Sequence, residues 1–269
     1  MKRRTFVRNV GVASSALMIP NLYGGVGVLE DEDYPLMDLH VHTTKDFTID
    51  MAMELAKERN VKFGIVAHPH DFELKDDKDL AAYINLLKKY PVYVGLQPML
   101  TDWSKNFSSE LLNKLDYILM DPQAIPLGDG EYQLIYKLET YVEDIDAFMA
   151  KYLKHTLNIL HTAPMSILGW PLFLPVCIAK DYYEIWTEER MLSIIEAAKS
   201  RNIAIEINDM AQTPHQEFIL MAKAEGLKFT FGSDTRNSNA GRLAYCKRIA
   251  DECQLKKEDF YIPNGVNFS

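Results

Sequence analysis

The strongest constraint on the fold is a regular alternation of short apolar runs with longer amphipathic segments, which begins near residue 36. The apolar runs predict seven β-strands, at residues 36–41, 62–67, 91–96, 115–120, 165–169, 203–207 and 228–232. The other segments have the spacing of helices: 48–59, 77–89, 103–114, 141–160, 184–200, 213–225 and 238–252. Seven such units, with neither an internal repeat nor a low-complexity linker, predict an α/β fold whose parallel sheet closes into a barrel.

Length and charge limit the classes of function. At 269 residues and 48% hydrophobic content, the chain can form one barrel domain with a full core. Its formal charge of −9 argues against nucleic acid or an anionic membrane as a partner. We therefore expect no nucleic-acid partner.

The N-terminal segment has the features of an export signal. A basic start is followed by a mostly apolar run at residues 10–19, which is too short to span a bilayer. The pair Arg3-Arg4 resembles the twin-arginine signal, which a receptor reads as an address. We therefore predict a signal peptide at residues 1–28, a barrel domain at residues 29–269 and a periplasmic or otherwise exported protein. Since no cysteine directly follows the apolar run, we expect no stable membrane anchor. The alternative is an amphipathic helix packed on the domain.

The first predicted strand ends in two histidines, His40 and His42, separated by one residue. In a β-strand, alternate side chains share a face, so the two imidazoles lie roughly 7 Å apart on the same side. That spacing allows both rings to bind one metal ion. In α/β barrels the C-terminal ends of the strands carry the chemistry, which favours a metal site over chance histidines at a polar strand end.

The motif Asp38-Leu39-His40-Val41-His42-Thr43 resembles the first motif of the polymerase and histidinol phosphatase (PHP) family of metal-dependent phosphoesterases. More broadly, it is similar to the amidohydrolase-type barrels. Two later segments, Ile205-Glu206-Ile207-Asn208 and Gly232-Ser233-Asp234, resemble further PHP motifs. The resemblance covers about residues 36–240. It implies a distorted (β/α)7 TIM-like barrel of the PHP type, in which His40, His42 and Asp234 bind a divalent metal ion.

Other positions of the PHP pattern are matched in part or changed. After the second strand, His68 matches a family histidine and is a fourth candidate ligand, although Ala67 replaces the aspartate before it. Gln97 stands where the family has a metal-bridging glutamate, and Trp170 and Arg236 stand where it has histidines. Since glutamine is neutral and arginine is cationic, these changes favour one metal ion over a cluster. Zinc is the first choice, with manganese or iron as alternatives.

The resemblance implies a metal-dependent, phosphoesterase-like hydrolase, whose expected partner is a small-molecule substrate, phosphorylated or derived from a sugar. Asp121, after the fourth strand, is a ligand, a general base or a loop cap. Asp121 or His68 would move the proton, and Arg236 would hold an anionic group of the substrate. The candidates for substrate binding are side chains expected at the barrel mouth: Trp170, Arg236, Gln97 and Asn208.

Two other functions fit the same fold. One is a barrel without catalytic activity that binds a sugar or glycan, with Trp170 and Trp103 as stacking surfaces. The other is a metal-assisted sugar isomerase or lyase. The irregular stretch 122–138 contains Gly128-Asp129-Gly130, which predicts a hairpin turn over the barrel mouth. His155 and His161 match no motif, and we expect both to be structural.

Overall fold

The computed structural model describes residues 34–69 and 73–265, which all belong to one compact unit, Asp33–Ser269. The predicted signal peptide, residues 1–28, lies outside the described residues, so the domain boundary and the export signal stay predictions. Among the described helices, none combines the length and the apolar character needed to cross a bilayer.

The described residues contain nine strands. They are β1 (Met37–Val41), β2 (Lys62–Ile65), β3 (Tyr93–Leu96), β4 (Tyr117–Met120), β5 (Ala124–Gly128), β6 (Glu131–Leu134), β7 (Ile167–Leu168), β8 (Ala204–Asn208) and β9 (Phe229–Gly232). Seven of them form one parallel sheet in the order β1-β2-β3-β4-β7-β8-β9. These are the seven strands that the apolar runs predict.

The sheet curls until its two edges meet. Beyond β9, Thr235 forms a parallel bridge with Val41 of β1, and the His42 N–H donates to the Thr235 carbonyl at 3.0 Å. The result is a nearly closed α/β barrel of the TIM or PHP type, as predicted. Closure brings the C-terminal ends of β1 and β9 together, although more than 180 residues separate them in the sequence.

The barrel interior is filled by a few large side chains. Tyr117 lies fully buried at its centre, and its hydroxyl donates to the Leu39 carbonyl at 2.6 Å. Gly64 and Gly95, on the two preceding strands, make room for this ring, since a Cβ on either would lie 2.4 Å from a Tyr117 atom. A second, larger apolar cluster lies between the strands and the surrounding helices.

Eight α-helices lie in the described residues. They are α1 (Ile49–Arg59), α2 (Asp77–Leu87), α3 (Ser109–Leu112), α4 (Ile145–Thr162), α5 (Tyr182–Ile185), α6 (Glu188–Ser200), α7 (Gln216–Ala224) and α8 (Ala244–Glu252). Side-chain caps set several of their starts. The Asp76 carboxylate accepts two backbone N–H groups at the start of α2, and the Asp144 carboxylate accepts the Ala147 N–H at the start of α4.

Two predicted helices are broken in the structure. The segment 103–114 is a 3₁₀ turn, Trp103–Asn106, followed by the single turn α3, because Phe107 is extended with φ −126° and ψ 140°. Trp103 and Phe107 are both buried at helical spacing, which imitates a continuous helix. The segment 184–200 divides into α5 and α6, since Thr187 caps a new helix by accepting the Arg190 N–H.

The irregular stretch after β4 contains the predicted hairpin. Strands β5 and β6 pair in antiparallel fashion around Gly128, Asp129 and Gly130, all of which have positive φ. This conformation explains the two glycines, which adopt positive φ without steric cost. The residues flanking the hairpin, Gln123 and Tyr136, line a cavity at the barrel mouth.

Candidate metal centre

His40, His42 and Asp234 meet at the C-terminal mouth of the barrel, as predicted. Each offers one ligand atom, and these atoms all lie within 4.8 Å of one another. The Nε2 atoms of His40 and His42 lie 3.3 and 3.4 Å from Asp234 Oδ1. All three residues are buried. The structure therefore contains a buried His-His-Asp group that could hold one metal ion.

A change of register in β1 helps to aim the two histidines. The pairing of β1 with β2 shifts between Asp38 and Val41, an irregularity of the kind that a β-bulge produces. Before the shift, Leu39 packs into the barrel interior, whereas Val41 packs in the outer cluster. The His40 imidazole reaches Glu206, which lies on β8 across the barrel mouth.

Glu206 fixes the orientation of the His40 ring through a hydrogen bond to Nδ1. The fully buried Glu206 carboxylate accepts the His40 Nδ1–H at 2.6 Å through Oε1. Its Oε2 accepts the Trp170 backbone N–H at 2.7 Å and the Asn208 side-chain amide at 3.1 Å. Because Nδ1 carries the donated proton, Nε2 is the free ligand atom, which is the usual arrangement for a metal-binding histidine.

Asp234 is held by two neighbours. The Trp170 indole N–H donates to Asp234 Oδ2 at 3.0 Å, and Arg236 Nη1 donates to Oδ1 at 3.0 Å. Both Asp234 and Trp170 have positive φ, 44° and 42°. Positive φ is uncommon for residues other than glycine and clusters at functional sites. Trp170 and Arg236, which replace histidines of the PHP pattern, thus bind the proposed metal ligand instead of a metal.

The charges of the group are strongly coupled. Burial lowers the pKa of His40, but the carboxylates of Asp234 and Glu206 outweigh this effect and raise it to about 10. For His42, burial lowers the pKa to about 3, and the positive charges of His40 and Arg236 act in the same direction. Burial raises the pKa of Asp234, yet His40 and His42 hold it well below the usual range. At neutral pH His42 is therefore neutral, Asp234 is ionised and His40 is protonated on both ring nitrogens, so a metal ion would have to displace the His40 Nε2 proton.

The unsatisfied atoms of the group fit a metal ion. Within the described residues, the Nε2 atoms of His40 and His42 form no hydrogen bond, although both are buried. Buried polar atoms in native proteins nearly always have a partner, so such atoms call for an explanation. Two imidazole nitrogens and a carboxylate oxygen are ligands that zinc, iron and manganese accept. The residues present thus fit one divalent ion, and they do not distinguish among these metals.

His68 lies beside the group and not within it. Its ring stacks on His42 with a centroid distance of 5.0 Å. His68 Nδ1 is 3.0 Å from the Gln97 carbonyl, which fixes Nδ1 as the donor, and Nε2 faces Arg236 Nη2 at 3.3 Å. Burial lowers the pKa of His68. The structure thus directs the Nε2 lone pair to Arg236, so its predicted role as a metal ligand gains no support.

A cavity of about 420 Å³ opens next to the His-His-Asp group. This volume falls in the range of small-molecule sites, roughly 300–1,000 Å³. The lining combines polar and apolar side chains: His68, Gln97, Met99, Asp121, Gln123, Tyr136, Trp170, Met210, Asp234 and Arg236. Most of the residues predicted for catalysis or substrate binding therefore line one cavity.

Besides Asp234, Asp121 contributes a carboxyl group to the lining of this cavity. Its Oδ2 accepts the Gln97 side-chain N–H at 2.6 Å, while Oδ1 has no hydrogen-bond partner in the described residues. Burial raises the pKa of Asp121 to about 8, although the nearby His40 charge lowers it. Asp121 is therefore mostly protonated at neutral pH. It does not belong to the His-His-Asp group.

Of the two predicted substrate contacts Trp170 and Asn208, only Trp170 lines the cavity. Trp170 lines the cavity but is only 8% exposed, and its ring packs against Phe173 with a centroid distance of 4.9 Å. Asn208 is fully buried behind Glu206, and its Oδ1 accepts the Ala211 N–H. Asn208 is not among the residues that line the cavity, so its predicted contact with substrate stays a prediction that this geometry does not favour.

Three residues that build the site are not among the candidates predicted from the sequence. For Glu206 a signal exists, because Glu206 and Asn208 share one face of β8 by the period of two along a strand. Asp38 is fully buried, and its carboxylate accepts the Ser233 and Gly241 N–H groups at 2.9 Å, which ties β1 to the loop after β9. Gln123 lies in an irregular stretch, and no pattern pointed to it.

Comparisons with known proteins assign no family. No family model matches the chain, and no curated protein matches it. One similar solved chain belongs to the cryo-EM structure of archaeal ribonuclease P with mature tRNA, with 14% identity and a TM-score of 0.41, covering 86% of this chain and 97% of that one. Phospho-2-dehydro-3-deoxyheptonate aldolase from Thermotoga maritima gives 12% identity and a TM-score of 0.34, covering 85% and 74% of the two chains. A truncated form of 3-deoxy-D-arabino-heptulosonate 7-phosphate synthase from Thermotoga maritima gives 14% identity and a TM-score of 0.33, with 85% and 93% covered. Similarities this weak carry no conclusion about function.

Proposed function

We propose that this protein is an exported, metal-dependent hydrolase that cleaves a small phosphoester and uses one divalent ion, with zinc as the first choice. The observation that carries the proposal is the buried His-His-Asp group at the barrel mouth, whose two Nε2 atoms have no hydrogen-bond partner in the described residues. The PHP-like motifs around His40 and Asp234 support a phosphoester as the substrate.

The ligands would be His40, His42 and Asp234. An ion held there supplies Lewis acidity, which polarises a phosphoryl oxygen and makes water a better nucleophile. The chain's own part is to position the ligands. Glu206 fixes the His40 ring through Nδ1, and the Trp170 indole fixes the Asp234 carboxylate. Such supporting contacts typically change metal affinity 10- to 100-fold when they are removed.

Arg236 would bind the phosphate. Its side chain is 42% exposed and lines the cavity beside Asp234. The guanidinium offers five N–H donors, of which the contacts with Asp234 and His68 use only part. Arginine binds phosphate oxygens in a bidentate manner, so Arg236 can hold the substrate next to the ligand group.

Asp121 would donate the proton to the leaving alkoxide. Its carboxyl group is protonated at neutral pH, since burial raises its pKa to about 8, and it lines the same cavity. A catalytic acid works best when its pKa lies near the working pH. His68 is the alternative proton carrier. Its Nδ1–H is donated to the Gln97 carbonyl, and its Nε2 faces Arg236. Because neither ring nitrogen is directed at a substrate, the geometry favours Asp121.

The test combines metal analysis with a panel of phosphoesters. We expect the purified protein to contain a divalent metal and to hydrolyse at least one ester in a metal-dependent manner. His42→Ala should abolish both properties without changing the circular dichroism spectrum. His161→Ala, at an exposed position on α4, is the matched control and should change neither. A protein that neither binds metal nor hydrolyses any ester contradicts the proposal.

A second candidate is a binding protein without turnover. The observation that favours it is the mutual pairing of four charged groups, since His40 pairs with Glu206 and Arg236 pairs with Asp234. Two cations and two anions balance each other here, so the fold does not depend on an ion at this place. Ligand binding without metal and without hydrolysis would favour this candidate.

Export by the twin-arginine pathway is part of the proposal and is tested separately. Arg3 and Arg4 begin a basic segment followed by a short apolar run. Replacing both arginines with lysine should leave the precursor in the cytoplasm. Replacing the nearby Lys2 with arginine is the control and should leave export unchanged. Mature protein that still appears outside the cytoplasm after the double replacement would contradict the assignment of the signal.

A further inference from the structure

One wall of the cavity consists of three uncharged polar side chains. Gln97, Asp121 and Gln123 line the cavity and are 3%, 1% and 3% exposed. Gln97 follows β3, whereas Asp121 and Gln123 follow β4, so neighbouring strand ends place them side by side. Gln97 and Asp121 are joined by the 2.6 Å hydrogen bond from Nε2 to Oδ2. We call these three residues the amide wall.

Each residue of the amide wall has one polar atom without a partner. Gln97 Oε1, Asp121 Oδ1 and Gln123 Nε2 are buried and form no hydrogen bond within the described residues. A buried donor or acceptor that stays unpaired destabilises a protein, so three in one cavity lining need partners. Three such atoms in the lining of one cavity point to a bound group that would pair with them.

The lining contains two hydrogen-bonded sets of residues that differ in charge. Arg236 pairs with Asp234 of the His-His-Asp group at 3.0 Å. In the amide wall the glutamines are neutral, and the Asp121 carboxyl holds its proton at neutral pH because burial raises its pKa to about 8. A protonated Asp121 accepts from Gln97 through Oδ2 and can donate through Oδ1. The amide wall therefore offers an acceptor at Gln97 and donors at Asp121 and Gln123.

Hydroxyl groups match this set of atoms. A hydroxyl donates one hydrogen bond and accepts two, and its hydrogen rotates to suit its neighbours. It can therefore donate to Gln97 Oε1 while it accepts from Asp121 or Gln123. An alkyl group would leave all three atoms unpaired, and a second anion would lie in a buried, uncharged environment at a high cost in solvation. The terminal amide torsion of glutamine is soft, so Gln123 can turn toward such a group.

We propose that the amide wall binds hydroxyl groups on the uncharged part of the substrate, so that the substrate is a polyol- or sugar-like phosphoester. This inference rests on the proposed function and names its substrate class. The phosphate would lie against Arg236 beside the His-His-Asp group, and the hydroxylated part would extend toward Gln97 and Gln123. Met99, Tyr136 and Met210 border the same cavity and supply the apolar surface that the carbon skeleton of a sugar needs.

The probes are glycerol 1-phosphate and propyl phosphate, which differ only in two hydroxyl groups. Binding of both is measured by calorimetry on the metal-free, full-length protein. We expect glycerol 1-phosphate to bind about tenfold or more tightly, since a net hydrogen bond contributes about 0.5–1.5 kcal/mol and two are formed. Equal affinities, or no binding of either ester, would overturn the proposal.

Variants separate the amide wall from the rest of the cavity. Gln123→Met keeps the size of the side chain and removes its amide, so it should weaken glycerol 1-phosphate about threefold or more and leave propyl phosphate unchanged. Gln133→Met, on the same hairpin outside the cavity lining, is the matched control and should keep the full preference. A Gln123→Met protein with an undiminished preference would overturn the assignment. If the purified protein binds no added divalent metal and hydrolyses no ester but still prefers glycerol 1-phosphate, the amide wall is supported and only the hydrolase is refuted.

Discussion

Replacing Glu206 with glutamine tests the support behind the candidate metal ligand. Glu206 is fully buried, and its two oxygens accept three hydrogen bonds, from His40 Nδ1, the Trp170 N–H and the Asn208 amide. Glutamine has the same shape, but one of its terminal atoms is an NH₂ group that cannot accept. If the NH₂ group takes the place of Oε2, it faces the Trp170 and Asn208 N–H donors. If it takes the place of Oε1, His40 Nδ1 must give up its proton to accept from it, and the ring then carries its proton on Nε2, the atom that would bind a metal ion.

The size of the effect follows from these contacts. A hydrogen bond to a charged group contributes about 1.5–3 kcal/mol, and leaving a buried donor unpaired costs about 1–3 kcal/mol. Glu206→Gln should therefore lower the free energy of unfolding by about 2–4 kcal/mol. Because the His40 ring also loses its carboxylate partner, we expect metal affinity to fall about 10- to 100-fold.

The assay is urea unfolding of the metal-free protein, followed by circular dichroism, together with metal competition against a chelator of known affinity. Glu196→Gln, at an exposed position on α6, makes the same chemical change and should alter neither quantity by more than about 0.5 kcal/mol. If Glu206→Gln matched Glu196→Gln in both stability and metal affinity, the role assigned to this carboxylate would be refuted.

Two other predictions follow from packing and burial. Gly232→Ala should displace the ligand support and weaken metal binding strongly, because its Cβ would lie 2.0 Å from Glu206 Oε1 and 2.8 Å from the His40 Cβ; metal content and unfolding midpoint measure this. His155 is 6% exposed, and burial lowers its pKa to about 4, below the usual 6.5. The unfolded chain therefore takes up the proton first as the pH falls, so stability should be unaffected above about pH 6.5 and should fall by up to about 3 kcal/mol between pH 6.5 and 4. His155→Gln should flatten this part of the pH profile, whereas His161→Gln, exposed on the same helix, should not.

The strands were predictable from the sequence because parallel barrel strands are buried on both faces and appear as short apolar runs. His40 and His42 were predictable as a pair for another local reason, because alternate side chains of a strand share a face. The meeting of His40 with Glu206 was not, since it depends on the closure of β1 against β9 and on the register shift in β1. The position of Gln123 in the cavity lining was not predictable either, because no sequence pattern specifies how the hairpin that follows it packs against the barrel.

Metal stoichiometry is the last prediction, and it depends on the amide wall. Two divalent ions a few ångströms apart repel each other and need negative charge between them. In the described residues of the amide wall, Gln97 is neutral and Asp121 is protonated at neutral pH, while Arg236, which pairs with Asp234, brings a positive charge to the same cavity. A second ion would have to displace the Asp121 proton and overcome the repulsion from Arg236. Titration of the metal-free protein with zinc at pH 7 should therefore saturate near about one equivalent, as followed by calorimetry. His42→Ala should lose this equivalent, and Asp121→Asn should retain it, because Asp121 contributes no ligand to the His-His-Asp group. Saturation at two equivalents, reduced to one by Asp121→Asn, would show that the carboxyl group ionises to bind metal and that the division of the lining into a charged and an uncharged set is wrong.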